Sequence, residues 1–240
     1  ALPSGAARAL AARVKSVPVS AVTMREGFWQ PRMKVNVERS IPTLLELLES
    51  NGIIDNFRRL AGKNVPRRGP LFTDSDVDKW MEAAAIVLQT QDDPKLRATF
   101  DKLTDEILAA QEPGGYLNTY WVEERKDRRW KEQQTAHELY CLGHMLQAGI
   151  AYYRATGNRK LMDGGIRFVE YLLRDFGPAK QPLYAGHPEI ELALIELYRT
   201  TGRKEFLDLA GYLLQGDGKR LKLTNSQMVY TFSGRPFTER

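Results

Sequence analysis

At 240 residues, 42% of them apolar, the chain is long enough to bury the core of one large domain. A net charge of +5 comes from 35 basic and 30 acidic residues mixed along the chain, with only small clusters at Arg58-Arg59, Arg67-Arg68 and 125–131; this argues against a nucleic-acid-binding stripe. No apolar run nears the ~18 residues of a membrane span, and a single cysteine excludes an internal disulfide.

Residues 1–15, "ALPSGAARALAARVK", are Ala-rich with scattered Arg and lack the apolar stretch of a signal peptide, so a flexible tail is expected. Residues 16–34 follow as a unit. "SVPVSAVTM" (Ser16–Met24) alternates apolar and polar side chains and predicts a short strand. "REGFWQPRM" after it reads as a turn with an aromatic anchor. From residue 35 to 240 helical periodicity dominates, with helices expected at Val35–Ser50, Ser75–Gln91, Pro94–Ala110, Thr135–Thr156, Arg159–Asp175, Pro188–Thr200 and Lys204–Leu214.

The pattern also repeats. "YYRATGNRKLMD" (152–163) matches "LYRTTGRKEFLD" (197–208), and "VLQTQDDPKLRATFDKL" (87–103) is a weaker copy. Each copy is a helix, a tight polar turn and a second helix, so the unit is an αα-hairpin. Open solenoids and closed α/α toroids both stack such units. The long connections "EPGGYLNTYWVEERKDRRWKEQQ" and "GPAKQPLYAGHP" favour a toroid, incomplete at the C-terminus, and their Gly, Tyr, Asn and Trp content suits a polyol-binding rim.

Four segments carry candidate chemistry. In "TAHELYCLGH" a helical wheel puts Leu139, Leu142, Leu146, Ile150 and Tyr153 on a core stripe, and His137, Cys141, His144, Ala148 and Ala151 on the opposite face. That face carries no charge, so it too is expected to be covered. His137 and Cys141 at i, i+4 suggest zinc, but too few further ligands are available. A nucleophilic Cys141 needs an activating base that is not evident. We favour His137 as a ligand-binding residue with Cys141 and His144 in packing; a wholly structural histidine is the alternative. In "FTDSDVDKWMEAAA", Asp74 and Asp76 either complement the helix dipole or hydrogen-bond sugar hydroxyls, and Lys79-Trp80, without the required Gly and distal Glu, argues against a calcium loop. "EPGGYLNTYW" offers Tyr116, Asn118, Tyr120 and Trp121 to stack on a sugar ring, or is a packed loop. "YAGHPEIELALIELY" sets His187 at a helix cap with Pro188 in the first turn, and Glu189 and Glu191 as general acids or dipole complements.

Taken in series, "GFWQPRM", "GIIDNFRRLAGK", "FTDSDVDKWMEAAA", "GGYLNTYW", "HELYCLGHMLQAGIAYYRATG" and "GHPEIELALIELYRTTG" resemble the N-terminal half of the glycoside hydrolase 127 family, the β-L-arabinofuranosidases once catalogued as a domain of unknown function. The resemblance runs over about residues 17–240. It implies a mainly α, partial (α/α)6 toroid with β-sandwich domains beside it, to which the early strand would belong. It implies retaining hydrolysis by a glutamate acid/base and a cysteine thiolate held with zinc by further cysteines and a glutamate. Those groups lie in the second half of the toroid and are expected beyond Arg240; Cys141 matches the "HELYC" cysteine instead of the nucleophile. The chain is therefore expected to be an N-terminal piece with no catalytic residue, metal ligand or cofactor of its own, zinc belonging to the full-length enzyme. Three hairpins and part of a fourth would leave apolar faces for a homo-oligomer or a missing C-terminal segment.

By the same resemblance His137 and His187 match histidines that line the −1 subsite. Asp74, Asp76, Tyr116 and Asn118 match motif positions, and Leu44 replaces a polar residue of some members, so the sugar contacts are expected to differ. The expected partner is a carbohydrate, with neither nucleic acid nor membrane. The compartment of this bacterial-type soluble protein stays open between cytoplasm and export. The rival functions are a non-catalytic carbohydrate-binding or assembly module, and an α/α-toroid lyase, epimerase or uronide hydrolase.

Overall fold

The computed structural model describes residues 17–215 apart from Pro178 and Tyr184. The expected tail, Ser16 and the last stretch of the toroid assignment, from Gly216 to Arg240, lie outside the described residues. Nine α-helices follow in chain order among those described: α1 Trp29–Val35, α2 Ile41–Ser50, α3 Asp55–Leu60, α4 Asp74–Thr90, α5 Pro94–Ala109, α6 Glu138–Thr156, α7 Lys160–Asp175, α8 Ile190–Thr201 and α9 Lys204–Gln215. A π turn, Asn36–Ser40, joins α1 to α2. Two short 3-10 turns lie at Val19–Ala21 and Glu123–Arg128.

The strand predicted over Ser16–Met24 is not formed. Its described part is exposed throughout and holds only the turn at Val19–Ala21. Alternation makes a strand only where a sheet buries one face, and no sheet lies beside it among the described residues. The aromatic anchor is also corrected: Phe28 and Trp29 are each 62% exposed, and pack edge-on against each other with Arg32 over Phe28.

The helices pair into hairpins that stack in two rows. The first helices pack side by side, α2 on α4, α4 on α6 and α6 on α8. The second helices form a parallel row, α3 on α5 and α5 on α7. The 45-residue repeat is reproduced in its hydrogen bonds. Gly157 and Gly202 end α6 and α8 with φ of 77° and 74°, a left-handed turn that glycine takes without a Cβ penalty. Their N–H groups donate to Tyr153 O and Tyr198 O, and the hydroxyls of Thr156 and Thr201 accept from the N–H of Asn158 and Arg203. In the weaker copy Asp92 stands where the glycine is, and the next residue, Asp93, caps α5 by accepting from Leu96 N–H at 2.9 Å, ahead of Pro94 in the first turn.

Neighbouring hairpins are tied by polar and aromatic contacts. Tyr152 stacks on Phe100, ring centroids 3.7 Å apart, and its hydroxyl donates to Asp101. Trp80 Nε1 donates to Ile41 O across the α2–α4 contact. Asn56 clasps the backbone of Arg68 from both sides and fixes the connection from α3 to α4.

Two glycines let α6 take its neighbours closely. A Cβ on Gly149 would lie 2.7 Å from Met162 N, and one on Gly143 would lie 2.7 Å from Glu189 Cγ and 3.0 Å from Ile190 N. We expect Gly149→Ala to cost about 1–3 kcal/mol, a loss of several degrees in Tm. Gly211→Ala in α9, where nothing lies within 4 Å, should be neutral or stabilise by up to ~1 kcal/mol. Thermal unfolding by circular dichroism checks the pair; equal Tm values would contradict the packing described.

Candidate functional site

The connection from Gln111 to His137 crosses the N-terminal ends of α4 and α6, and two carboxylates grip it. Asp74, in the first turn of α4 and 3% exposed, accepts from Thr119 N–H at 2.6 Å and from the Thr119 hydroxyl. Glu138, the first residue of α6 and also 3% exposed, accepts from the Tyr116 hydroxyl at 2.6 Å and from Trp130 N–H at 3.1 Å. Within the connection, Asn118 Oδ1 accepts from the N–H groups of Tyr120 and Trp121, and Trp121 Nε1 donates to Ala136 O. Arg129 bridges to Glu112 and lies 3.8 Å over the Tyr116 ring.

Beside this framework lies a cluster of aromatic and imidazole rings. His137 precedes α6 with φ 58° and ψ 16°, left-handed for an L-residue, so the predicted start at Thr135 shifts to Glu138. Its Nδ1 is 2.6 Å from Thr135 O. The carbonyl can only accept, so Nδ1 carries the proton and Nε2 is the free acceptor. The His187 ring lies 5.7 Å from that of His137 and 4.3 Å from that of Tyr140. His144 meets the same tyrosine edge-on at 4.6 Å. Phe72 flanks His137 at 5.4 Å, and the Lys79 ammonium sits 4.8 Å over Tyr140. α8 begins at Ile190 instead of Pro188, which leaves His187 in the loop ahead of it.

Burial pushes the His137 pKa down, and it pushes His144 down to about 4 with help from the charges of Lys79 and His187. Glu189 approaches His144 Nδ1 at 3.6 Å, too long for a hydrogen bond, and burial together with Glu82 and Glu191 raises its carboxyl. Both partners are thus driven toward their neutral forms, and the contact is not an ion pair.

His137 and His187 are brought together, their rings 5.7 Å apart. Asp76 stands at the rim, its carboxylate 3.8 Å from Lys79 Nζ, and with Leu44 it lines a cleft of about 820 Å³. The polar groups of Asp74 and Tyr116 and the Oδ1 of Asn118 are engaged by the framework just described. Cys141 is buried 3.8 Å from Phe72 O, and burial beside Asp74 and Asp78 raises its pKa well above that of a free thiol, so it is not a thiolate. Among the described residues no three His, Cys, Asp or Glu side chains converge to hold a metal ion, so these residues do not fit the zinc site that the resemblance implies. The catalytic groups expected beyond Arg240 likewise lie outside the described residues, which end at Gln215. His144, expected in packing, lies packed edge-on against Tyr140 with both ring nitrogens buried and no hydrogen bond to either. Tyr140, Lys79 and Glu138 were missed. Tyr140 sits three residues after His137 and four before His144, a helical spacing that gave the signal.

A sequence profile of the β-L-arabinofuranosidase, GH127 catalytic domain matches residues 21–231. The chain belongs to the GH127 family. A non-reducing-end β-L-arabinofuranosidase of Bifidobacterium longum subsp. longum is 33% identical over 87% of this chain and 37% of its own length. A GH127 β-L-arabinofuranosidase from Geobacillus stearothermophilus T6 superposes with a TM-score of 0.84 at 34% identity, covering 91% of this chain and 38% of that one. A further GH127 β-arabinofuranosidase gives a TM-score of 0.82 at 32% identity, over 93% and 37% of the two chains. The chain therefore spans little more than a third of the length of these GH127 relatives. No described helix is long and apolar enough to cross a membrane.

Glu138 gives the site a measurable pH signature. Burial raises its carboxyl from the ordinary 4.5 to about 7. A carboxyl raised on folding favours the folded state fully below its unfolded pKa, and that contribution is lost as pH rises through the folded value, on the order of 3 kcal/mol in all. His137 and His144, lowered on folding, run the opposite way but are common to parent and variant. Glu138→Gln should therefore gain stability relative to the parent as pH rises from about 5 to about 8. Parallel Tm-against-pH curves would contradict this.

Proposed function

We propose that this chain supplies the N-terminal part of the sugar-binding cavity of a retaining β-L-arabinofuranosidase. The observation that carries the reading is the pair of imidazoles, His137 and His187, 5.7 Å apart against the Tyr140 ring. His137 Nε2 is a neutral acceptor, Lys79 and Tyr140 add donors, and the Phe72 and Tyr140 faces suit the C–H face of a sugar ring. Such a mixture suits polyol binding better than attack on an anomeric carbon. Asp76 and Leu44 line a separate cleft to which none of these rings contributes. Asp74, Tyr116 and Asn118 serve the sugar-binding cavity from behind, by fixing its wall.

The acid/base glutamate, the nucleophilic thiolate and the cysteines that hold zinc are assigned to residues other than those described. Cys141 is a poor substitute for any of them, being a buried, protonated thiol. The stacked hairpins are read as an arc of an (α/α)6 ring. A non-catalytic carbohydrate-binding role would use the same cavity. The full-length relatives are hydrolases by name, which favours the enzyme reading.

In an NMR titration with L-arabinose, the ring resonances of His137 and His187 should shift. His137→Ala should weaken binding about tenfold or more, as expected when a polar contact to ligand is lost (~1.4 kcal/mol). No shift at either imidazole would contradict the sugar reading. The chain alone should not hydrolyse an aryl β-L-arabinofuranoside; turnover abolished by a chelator would overturn the assignment of the chemistry elsewhere.

A further inference from the structure

Among the described residues only three that are not glycine have positive φ: Glu123, Trp130 and His137. Two of the three meet at Glu138. Trp130, with φ 60°, donates its N–H to Glu138 Oε2, and His137, with φ 58°, is the residue just before Glu138. A bulky side chain in this region costs of order 1–3 kcal/mol and persists only where its surroundings enforce it. His137 makes no side-chain cap for α6 that would repay its own conformation. Glu138 does not point to solvent as a dipole-complementing carboxylate would; it is buried and turned back onto the connection. Its other partner, Tyr116, is locked among Phe168, Tyr171 and Trp130 with ring separations of 5.1, 5.8 and 5.9 Å. The carboxylate thus couples a rigid aromatic block to the peptide that carries the His137 ring.

We propose that Glu138 is a positioning residue for His137: through Tyr116 and the Trp130 amide it fixes the left-handed turn that holds the imidazole in the cavity. The inference rests on the reading of His137 as a cavity residue, and its test contains no sugar. The groups that act on the His137 ring are the Thr135 carbonyl on its own segment, His187 ahead of α8 and Lys79 on α4, with burial the largest influence.

The experiment is an NMR titration of the histidine rings in the full 240-residue chain, as parent, Glu138→Gln and Tyr116→Phe. The amide introduced by Glu138→Gln has only one acceptor oxygen for the two donors that the carboxylate now takes. Tyr116→Phe removes one hydroxyl without a change of charge. In both variants the His137 midpoint should rise toward the ~6.5 of a free imidazole, by about half a pH unit or more, while His144, held by α6 itself, keeps its depressed value. Loss of a nearby negative charge alone would lower the His137 midpoint, so a rise reports repositioning. An unchanged or lowered His137 midpoint in folded protein overturns the proposal, as does an equal rise at both histidines. If Glu138→Gln does not fold, Tyr116→Phe decides by the same criterion. Failure of L-arabinose to bind would sink the sugar reading and leave this result standing.

Discussion

The connection from α5 to α6 contains no α-helix, and two buried carboxylates hold it in place together with its own buried Tyr116, Leu117 and Trp121. Asp74 takes both polar hydrogens of Thr119, and Glu138 takes the Tyr116 hydroxyl and the Trp130 amide. A carboxyl taken out of water is costly, and burial raises both groups. Each cost is offset by two hydrogen bonds, one from the backbone and one from a hydroxyl. Both carboxylates stand in first turns, where the helix dipole adds a little more. The two grips fasten one strip of chain over two adjacent helix ends, and everything on the cavity side is built from what they hold still.

The glycines of α6 make that arrangement possible from the other side. Gly143 lets the segment before α8 lie against α6, which brings His187 to Tyr140 and His137. Gly149 does the same for the start of α7. The ring cluster thus gathers near the N-terminal ends of α4, α6 and α8. Burial lowers the pKa values of His137 and His144, which favours their neutral forms. On the proposed reading these groups bind a polyol without cleaving it, and Cys141, a buried and protonated thiol, takes no part in bond cleavage.

Much of this was legible in the sequence. The αα-hairpins follow from the 3.6-residue periodicity, from Gly157 and Gly202, and from Asp93-Pro94, all local signals that packing reinforces. The mainly α class and the family were read from motifs in series, and the profile match and structural neighbours bear both out. The strand at Ser16–Met24 failed because alternation says nothing about whether a sheet is present to pair with. The aromatic anchor failed for a similar reason, since Phe28 and Trp29 announce apolar area but not its partner. Within the site, His137 and His187 stood out as rare residues in unusual places. Glu138 did not, because a glutamate at a helix start has an ordinary explanation. Only the left-handed turn before it reverses its direction, and no pattern of residue types encodes that turn.

The central claim is that the two carboxylates, together with the loop's buried aromatic side chains, hold the wall of the cavity. Amide hydrogen exchange tests it most directly, at the Thr119 and Trp130 N–H groups that end on those carboxylates. Both should be protected to the same degree as core amides of α4 and α6, and Trp130 should lose that protection in Glu138→Gln while Thr119 keeps it. Exchange of both amides at the rate of an open loop in the parent protein would contradict the account.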